Sequence, residues 1–299
     1  MRLGASVARR AVVPKRYFIV DFDGTCTATD TTGLIPRLAS EHTGRTGMLG
    51  VWSEIEREFF ELTSAAEQEL MASRDMQLTL DDALAEMDSV SNTSTRKVSE
   101  SKCLAGIVPE RVGSSLESLE QGQVQMRSGC VDVLAGAEDQ GWELGVLSVN
   151  WCPPIIDAML LGPLRRRRGH RGGDANISPV ACWSNSIDPG SGQVRLVVPG
   201  AAAKKDKIES LKLAGEDGGS VVYVGDSPTD LPALIAADIG VLIGDSKSAR
   251  AFAEKFGVAL EPLSDAAMRR DGEGGRRRRV VWVAEDWAHI DRVVIRPGS

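Results

Sequence analysis

The stretch FIVDFDGTCTATD, Phe18 to Asp30, ends a solid apolar run in two aspartates one residue apart, followed by glycine and threonine. Alternation along an extended chain turns Asp21 and Asp23 to the same side. Like charges about 5 Å apart repel by roughly 3 kcal/mol at an effective dielectric near 20, so something must offset the pair. Paired carboxylates serve general acid–base work and hard-cation binding. Other groups suited to such a site recur beside later apolar runs: Ser148 and Asn150 in VLSVNW, the lysines of AAKKDKI (Lys204, Lys205, Lys207), and Asp226 and Asp230 in GDSPTD.

The runs themselves are Tyr17 to Val20, Leu144 to Leu147, Val221 to Val224 and Ile239 to Ile243, near-continuous as strands buried on both faces should be. Helical patterns lie between them: CVDVLAGAEDQG, DKIESLKLAG and TDLPALIAAD each precede a run. This alternation predicts an α/β fold, a doubly wound parallel sheet with helices on both faces. Ligands in such sheets bind outside the carboxyl ends of the strands, where these polar residues fall.

Residues 33–126 read differently. Trp52, Ile55, Phe59 and Leu62 recur at helical spacing, Thr79 with Asp82 resembles a capping box, and Pro109 can open a helix carrying Val112, Leu116 and Leu119. An all-helical cap is expected there, its aromatic stripe serving as cap core, with the core domain formed by 17–32 and 127–299 and a disordered or transit-like tail over 1–16. Two arginine clusters, Arg165 to Gly173 and Arg269 to Arg279, read as surface loops.

The four motifs, in this order, resemble those of the haloacid dehalogenase-like superfamily: Asp-x-Asp-Gly-Thr at a strand end, Ser or Thr after the second strand, a lysine, and Gly-Asp-x-x-x-Asp. The resemblance implies phosphoryl transfer, with Asp21 as nucleophile forming an aspartyl-phosphate and Asp23 as acid, then base. It implies Mg²⁺ held by Asp21, the Asp23 carbonyl and Asp226, with Ser148 and amides around Gly24 on the phosphoryl oxygens and Asp230 orienting the lysine or a metal-bound water. That cation and lysine would offset the clustered acids. The DK before an apolar helix position favours Lys207, with Lys205 as runner-up and Lys204 solvated. Thr25 belongs to the first motif.

DFDGTCTATD, VLSVNW, GDSPTDLPALIAADIGVLIG and EDWAHI further resemble the phosphatase domain of plant proteins that pair it with a thiaminase-II-like domain and act on thiamine monophosphate, and its fungal and algal relatives. That ester, or another small phosphorylated metabolite such as a sugar phosphate, nucleotide or phosphoserine, is the expected substrate; a non-catalytic binding protein of the same fold is the alternative. Cys26, Thr27, Asp30, Asn150 and Trp151 would flank the pocket floor, with Trp151 either stacking a ring or packing between sheet and cap.

Composition narrows the partners. Lys plus Arg number 35 against 42 acids, a net charge of −7, which gives no reason to expect nucleic acid or an anionic membrane. No apolar run reaches the eighteen or so residues needed to span a bilayer. The five cysteines show no CxxC spacing, which fits a reducing compartment. The cytoplasm is the expected location; mitochondrion or plastid is the alternative if the basic N-terminus, with Arg2, Arg9, Arg10, Lys15 and Arg16, is a transit peptide.

Overall fold

In chain order the strands are β1 (Arg16–Val20), β2 (Glu143–Leu147), β3 (Ala181–Trp183), β4 (Ser186–Ile187), β5 (Val194–Arg195), β6 (Ser220–Gly225), β7 (Ile239–Ile243), β8 (Ala259–Pro262) and β9 (Val280–Ala284). The four apolar runs are β1, β2, β6 and β7, the central strands of the sheet. This computed structural model describes residues 15–118, 125–170, 179–214, 219–264 and 280–297. The tail before residue 15 and the arginine cluster at 269–279 lie outside them.

Among the described residues a seven-stranded sheet runs β3-β2-β1-β6-β7-β9-β8, every neighbouring pair parallel. The chain winds outward from β1 to β3, then returns to lay β6 against the other side of β1. The order therefore switches between β1 and β6, which opens a crevice at their carboxyl ends. Phe18 and Val20 face one apolar cluster, and Tyr17 and Ile19 the other, as buried parallel strands require.

Between β1 and β2 come α1 (Ile35–Thr43), α2 (Met48–Ala72), α3 (Leu80–Ser101) and α4 (Val112–Ser118). The Thr79 capping box starts α3, with Asp82 N–H donating to Thr79 Oγ1 at 3.2 Å and Thr79 N–H to Asp82 Oδ2 at 3.2 Å. The insertion's two ends meet in a neck: Thr27 bridges Met126, and Ala28 N–H donates to Gln125 O at 2.7 Å. Its side chains share both sheet clusters, Leu34, Ile35 and Leu38 on one face and Leu70, Ala83 and Leu84 on the other.

The remaining helices are α5 (Cys130–Asp139), α6 (Pro153–Ile156), α7 (Gly162–His170), α8 (Ala201–Lys212), α9 (Leu231–Ala236), α10 (Lys247–Lys255) and α11 (Trp287–Ile290). A π-helical turn, Asp157–Leu161, joins α6 to α7. The first arginine cluster is thus helical over its described part, where a loop was expected. Arg165 reaches back to Asp157 at 2.8 Å, and Arg167 and Arg168 pair with Asp132 and Glu138 of α5, so acids on neighbouring elements neutralise the run.

Candidate active site

Asp21 follows β1 and Asp226 follows β6, one on each side of the switch point. One carboxylate oxygen from each of Asp21, Asp226 and Asp230 fits within a 4.8 Å span. Lys204 crosses this cluster from α8, its Nζ 2.9 Å from Asp21 Oδ2 and 2.7 Å from Asp230 Oδ1. Asp230 is fully buried and saturated: Oδ1 also accepts from Tyr223 OH at 2.6 Å, and Oδ2 accepts from the Ser227 amide at 3.0 Å and hydroxyl at 2.7 Å. Burial would raise its pKa, but Lys204 and these donors hold it below the usual carboxylate value. Asp21 and Asp226 are less well compensated. Burial pushes Asp21 up to about 6 against the pull of Lys204, and pushes Asp226 up to about 7 with help from Asp230 and Asp21.

Asp23 turns from the same loop toward the insertion. Its Oδ2 accepts from Asn150 Nδ2 at 2.7 Å and its Oδ1 from Thr31 N–H at 2.8 Å, while burial and then Asp30 raise its pKa to about 7. Asn150 also donates to Thr31 Oγ1 at 2.9 Å, so it joins the β2 end to the β1 loop. Ser148 is buried at that end, its Oγ accepting from Asn150 N–H at 3.2 Å. Thr25 Oγ1 donates to Asp226 Oδ1 at 2.6 Å. Gly24 has φ of +73°, and a Cβ there would lie 2.3 Å from Asp226 Oδ2. Gly24→Ala should therefore cost about 1–2 kcal/mol in backbone strain alone and displace Asp226; urea denaturation and a metal titration of the variant check both.

No family model matches the sequence. A curated relative, the "Bifunctional TH2 protein, mitochondrial" of Arabidopsis thaliana, is 24% identical over 271 residues, covering 81% of this chain. The chain spans 42% of that relative's length. A CTO1 family protein of Schizosaccharomyces pombe is 23% identical over 292 residues, covering 93% of this chain and 99% of that protein. Among solved structures, a Bordetella pertussis protein of unknown function shares the fold with a TM-score of 0.52, at 14% identity over 82% of this chain and 97% of that one. The two relatives cover 81% and 93% of this chain, and Asp21, Asp226, Asp230 and Lys204 converge on one point of this sheet. The chain resembles the haloacid dehalogenase-like superfamily in the order of its motifs and in the parallel sheet that brings them together.

The lysine that the fold places among the acids is not the one expected. Lys204, expected in solvent, is fully buried between Asp21 and Asp230. Lys207 instead lies over the Trp183 ring, 4.2 Å from its centroid, and Lys205 pairs with Asp81 at 2.6 Å. The reason is helical phase. Ala201, Lys204, Ile208 and Leu211 form the buried stripe of α8, and each neighbouring residue is turned about 100° away from it. Burial opposes the Lys204 charge, yet Asp21 and Asp230 hold its pKa above the ordinary lysine value.

A cavity of about 440 Å³ opens between the insertion and the segments that follow the strands. Trp52, Ile55, Phe59 and Trp151 form its apolar wall, Glu56 and Asp88 add carboxylates, and Asp30, Asn185, Gly200 and Thr229 line it from the segments that follow the strands. The aromatic stripe expected as cap core is thus largely cavity wall, and Leu62 is exposed. Trp151 meets Trp52 edge to face at 6.3 Å, so it both packs and lines the cavity. Thr27 and Cys26 lie buried beneath the loop; Thr27 Oγ1 accepts from Gly24 N–H at 3.1 Å. Cys152 is also buried, its thiol pushed up to about 11 by burial, which suits a packing role.

Three contributors carried no local signal. Asn185 is buried and binds Val149 O and Val198 O through Nδ2, at 2.8 and 2.9 Å, fixing the segment after β2 against the approach to α8. Asp88 of α3 accepts from Ala201 N–H at 2.9 Å, capping α8 from the insertion, and Gly200 leaves room for it because a Cβ there would meet it at 2.1 Å. Arg127 donates to Gly24 O at 2.7 Å.

Proposed function

We propose that this protein hydrolyses a small phosphate monoester through an aspartyl-phosphate on Asp21. The observation that carries this reading is the buried Lys204 bridging Asp21 and Asp230 beside Asp226: one cation serves three carboxylates. Such an arrangement is short of positive charge, and an incoming phosphate dianion deepens the deficit unless a further cation accompanies it.

Asp21 Oδ attacks phosphorus, the ester P–O bond breaks, and the leaving oxygen takes the proton of Asp23. With its pKa near 7, Asp23 carries that proton in a substantial fraction of molecules at neutral pH. Asp23 then accepts a proton from water as the water oxygen attacks phosphorus and the Asp21 carboxylate departs. Dividing the displacement in two lowers each barrier. Lys204 keeps Asp21 ionised and oriented, Asp230 keeps Lys204 in place, and Ser148 with loop amides serves the phosphoryl oxygens.

The donor set fits a hard divalent cation. Asp230 is committed to its hydrogen bonds, which leaves Asp21, Asp226 and the Asp23 carbonyl to hold Mg²⁺, whose charge would offset that of the acids and the phosphate. A thermal consequence follows. The folded-state pKa values of Asp21 and Asp226 lie above their unfolded values, so the folded protein binds more protons and loses stability as pH rises through 6 to 7. Metal-free protein should melt at a lower temperature at pH 8 than at pH 5, and Mg²⁺ should restore more at pH 8. Equal Mg²⁺ shifts at both pH values would argue against this metal site.

Thiamine monophosphate is the substrate we favour, on the sequence resemblance and the cavity. Its aromatic wall and its acids Asp30, Glu56 and Asp88, with no lysine or arginine among the described lining residues, suit a cationic heteroaromatic alcohol better than one bearing a second anionic group. A panel of thiamine monophosphate, phosphoserine, a sugar phosphate, a nucleotide and para-nitrophenyl phosphate, with Mg²⁺ and with chelator, tests both levels. Turnover abolished by chelator supports the hydrolase; a kcat/KM preference for the thiamine ester below about tenfold, or 1.4 kcal/mol, removes the substrate assignment.

A further inference from the structure

The loop after β1 accounts for nearly all its main-chain hydrogen bonds. Asp21 N–H donates to Val224 O at 2.9 Å, Phe22 N–H to Asp21 Oδ1 at 2.7 Å, Gly24 N–H to Thr27 Oγ1 at 3.1 Å, and Cys26 and Thr27 N–H to Phe22 O at 2.8 and 3.1 Å. Among the described residues, the amides of Asp23 and Thr25 have no acceptor. Buried or half-buried amides without partners point to a ligand.

The carbonyls of this loop are held from behind by two distant side chains. Arg127 donates through Nε to Gly24 O at 2.7 Å and through its own amide to Cys26 O at 2.7 Å. Trp287, fully buried at the start of α11, donates through Nε1 to Thr25 O at 3.0 Å. In a planar trans peptide the C=O and N–H point in opposite directions. Holding Gly24 O toward Arg127 therefore turns the Thr25 N–H away from it. Thr25 Oγ1 lies on Asp226 at 2.6 Å, which places this residue beside the acid cluster.

We propose that Arg127 is a positioning residue that aims the free Thr25 amide at the phosphoryl oxygens of the substrate. The role rests on the phosphatase reading above. Arg127 touches no reacting atom; it fixes one peptide plane, so that the donor needs no reorganisation when charge develops on the transferring group.

The test uses the full chain with saturating Mg²⁺ and orthovanadate as the phosphoryl mimic. Arg127→Met should weaken vanadate inhibition and lower kcat/KM for para-nitrophenyl phosphate by about tenfold each, roughly the worth of one oriented donor. The Mg²⁺-induced rise in Tm should stay as in wild type. Arg127→Lys should recover part of the loss, and added guanidinium should recover part of it in Arg127→Ala. A merely structural role would lower Tm and leave the vanadate constant of the folded fraction unchanged, and that result overturns the proposal. If Arg127→Met does not fold, unchanged vanadate inhibition in Arg127→Lys overturns it equally. Wild-type protein that neither hydrolyses the ester nor binds vanadate sinks the phosphatase reading and this role together, whereas active wild type with an indifferent Arg127→Met sinks only the role.

Discussion

On the proposed mechanism Asp21→Asn should abolish turnover of every phosphate ester, by on the order of 10⁴-fold or more in kcat, because the amide cannot form the covalent intermediate. The variant should still fold. Asn retains an oxygen for the Phe22 amide, which donates to Asp21 Oδ1 at 2.7 Å, and Lys204 keeps Asp230 as partner at 2.7 Å. Because burial raises the Asp21 pKa to about 6, its charge is a liability to the metal-free fold at pH 8, so the amide should not lower Tm there. Steady-state assays and trapping of labelled phosphoenzyme check the two halves of the claim. A variant that hydrolyses para-nitrophenyl phosphate at the wild-type rate would end the nucleophile assignment.

The second large effect separates the three lysines. Lys204→Met leaves Asp21 and Asp230 buried without their shared cation, a loss of about 3–5 kcal/mol for one partner of a buried pair, together with nearly all activity. Its sign with pH follows from the carboxylates left behind. They can escape their mutual repulsion by taking up protons, so the destabilisation should be smaller at pH 5 than at pH 8. Lys205→Met breaks only a part-exposed pair with Asp81 and should change stability by about 1 kcal/mol or less. Lys207→Met loses its contact with the Trp183 ring, of similar size. Urea denaturation of the three variants at both pH values, with kcat/KM alongside, ranks them. Wild-type activity in Lys204→Met, or its loss in Lys207→Met, would return the role to the residue the sequence pattern favoured.

Lys204 shows how a residue pattern can misplace a side chain. The motif reading located the cluster AAKKDKI, but it weighed Lys207 by its adjacency to Ile208 and not by helical phase. Ile208 and Leu211 with Ala201 define a stripe that passes through position 204, and this was available in the residues alone. Central strands were legible because burial on both faces makes them continuous apolar runs. The edge strands β3 and β8 were not: they are short, only partly buried, and β8 contains Glu261 and Pro262. The contributions of Arg127, Asn185 and Trp287 depend on tertiary contacts as distant as 262 residues in sequence, where no local spacing can point to the partner. The arginine run read as a loop because its neutralising acids, Asp132 and Glu138, sit on another helix.

The neck at Thr27 and Met126 bears on how such a protein can diversify. Both chain crossings sit side by side, with Ala28 N–H 2.7 Å from Gln125 O, so everything between them is spliced onto the scaffold at a single doorway. Lineages could lengthen, shorten or exchange the outer part of that segment, provided that they kept partners such as Thr31 and Asp88, which hold Asp23 and the start of α8. Recognition and reaction would then evolve on separate clocks.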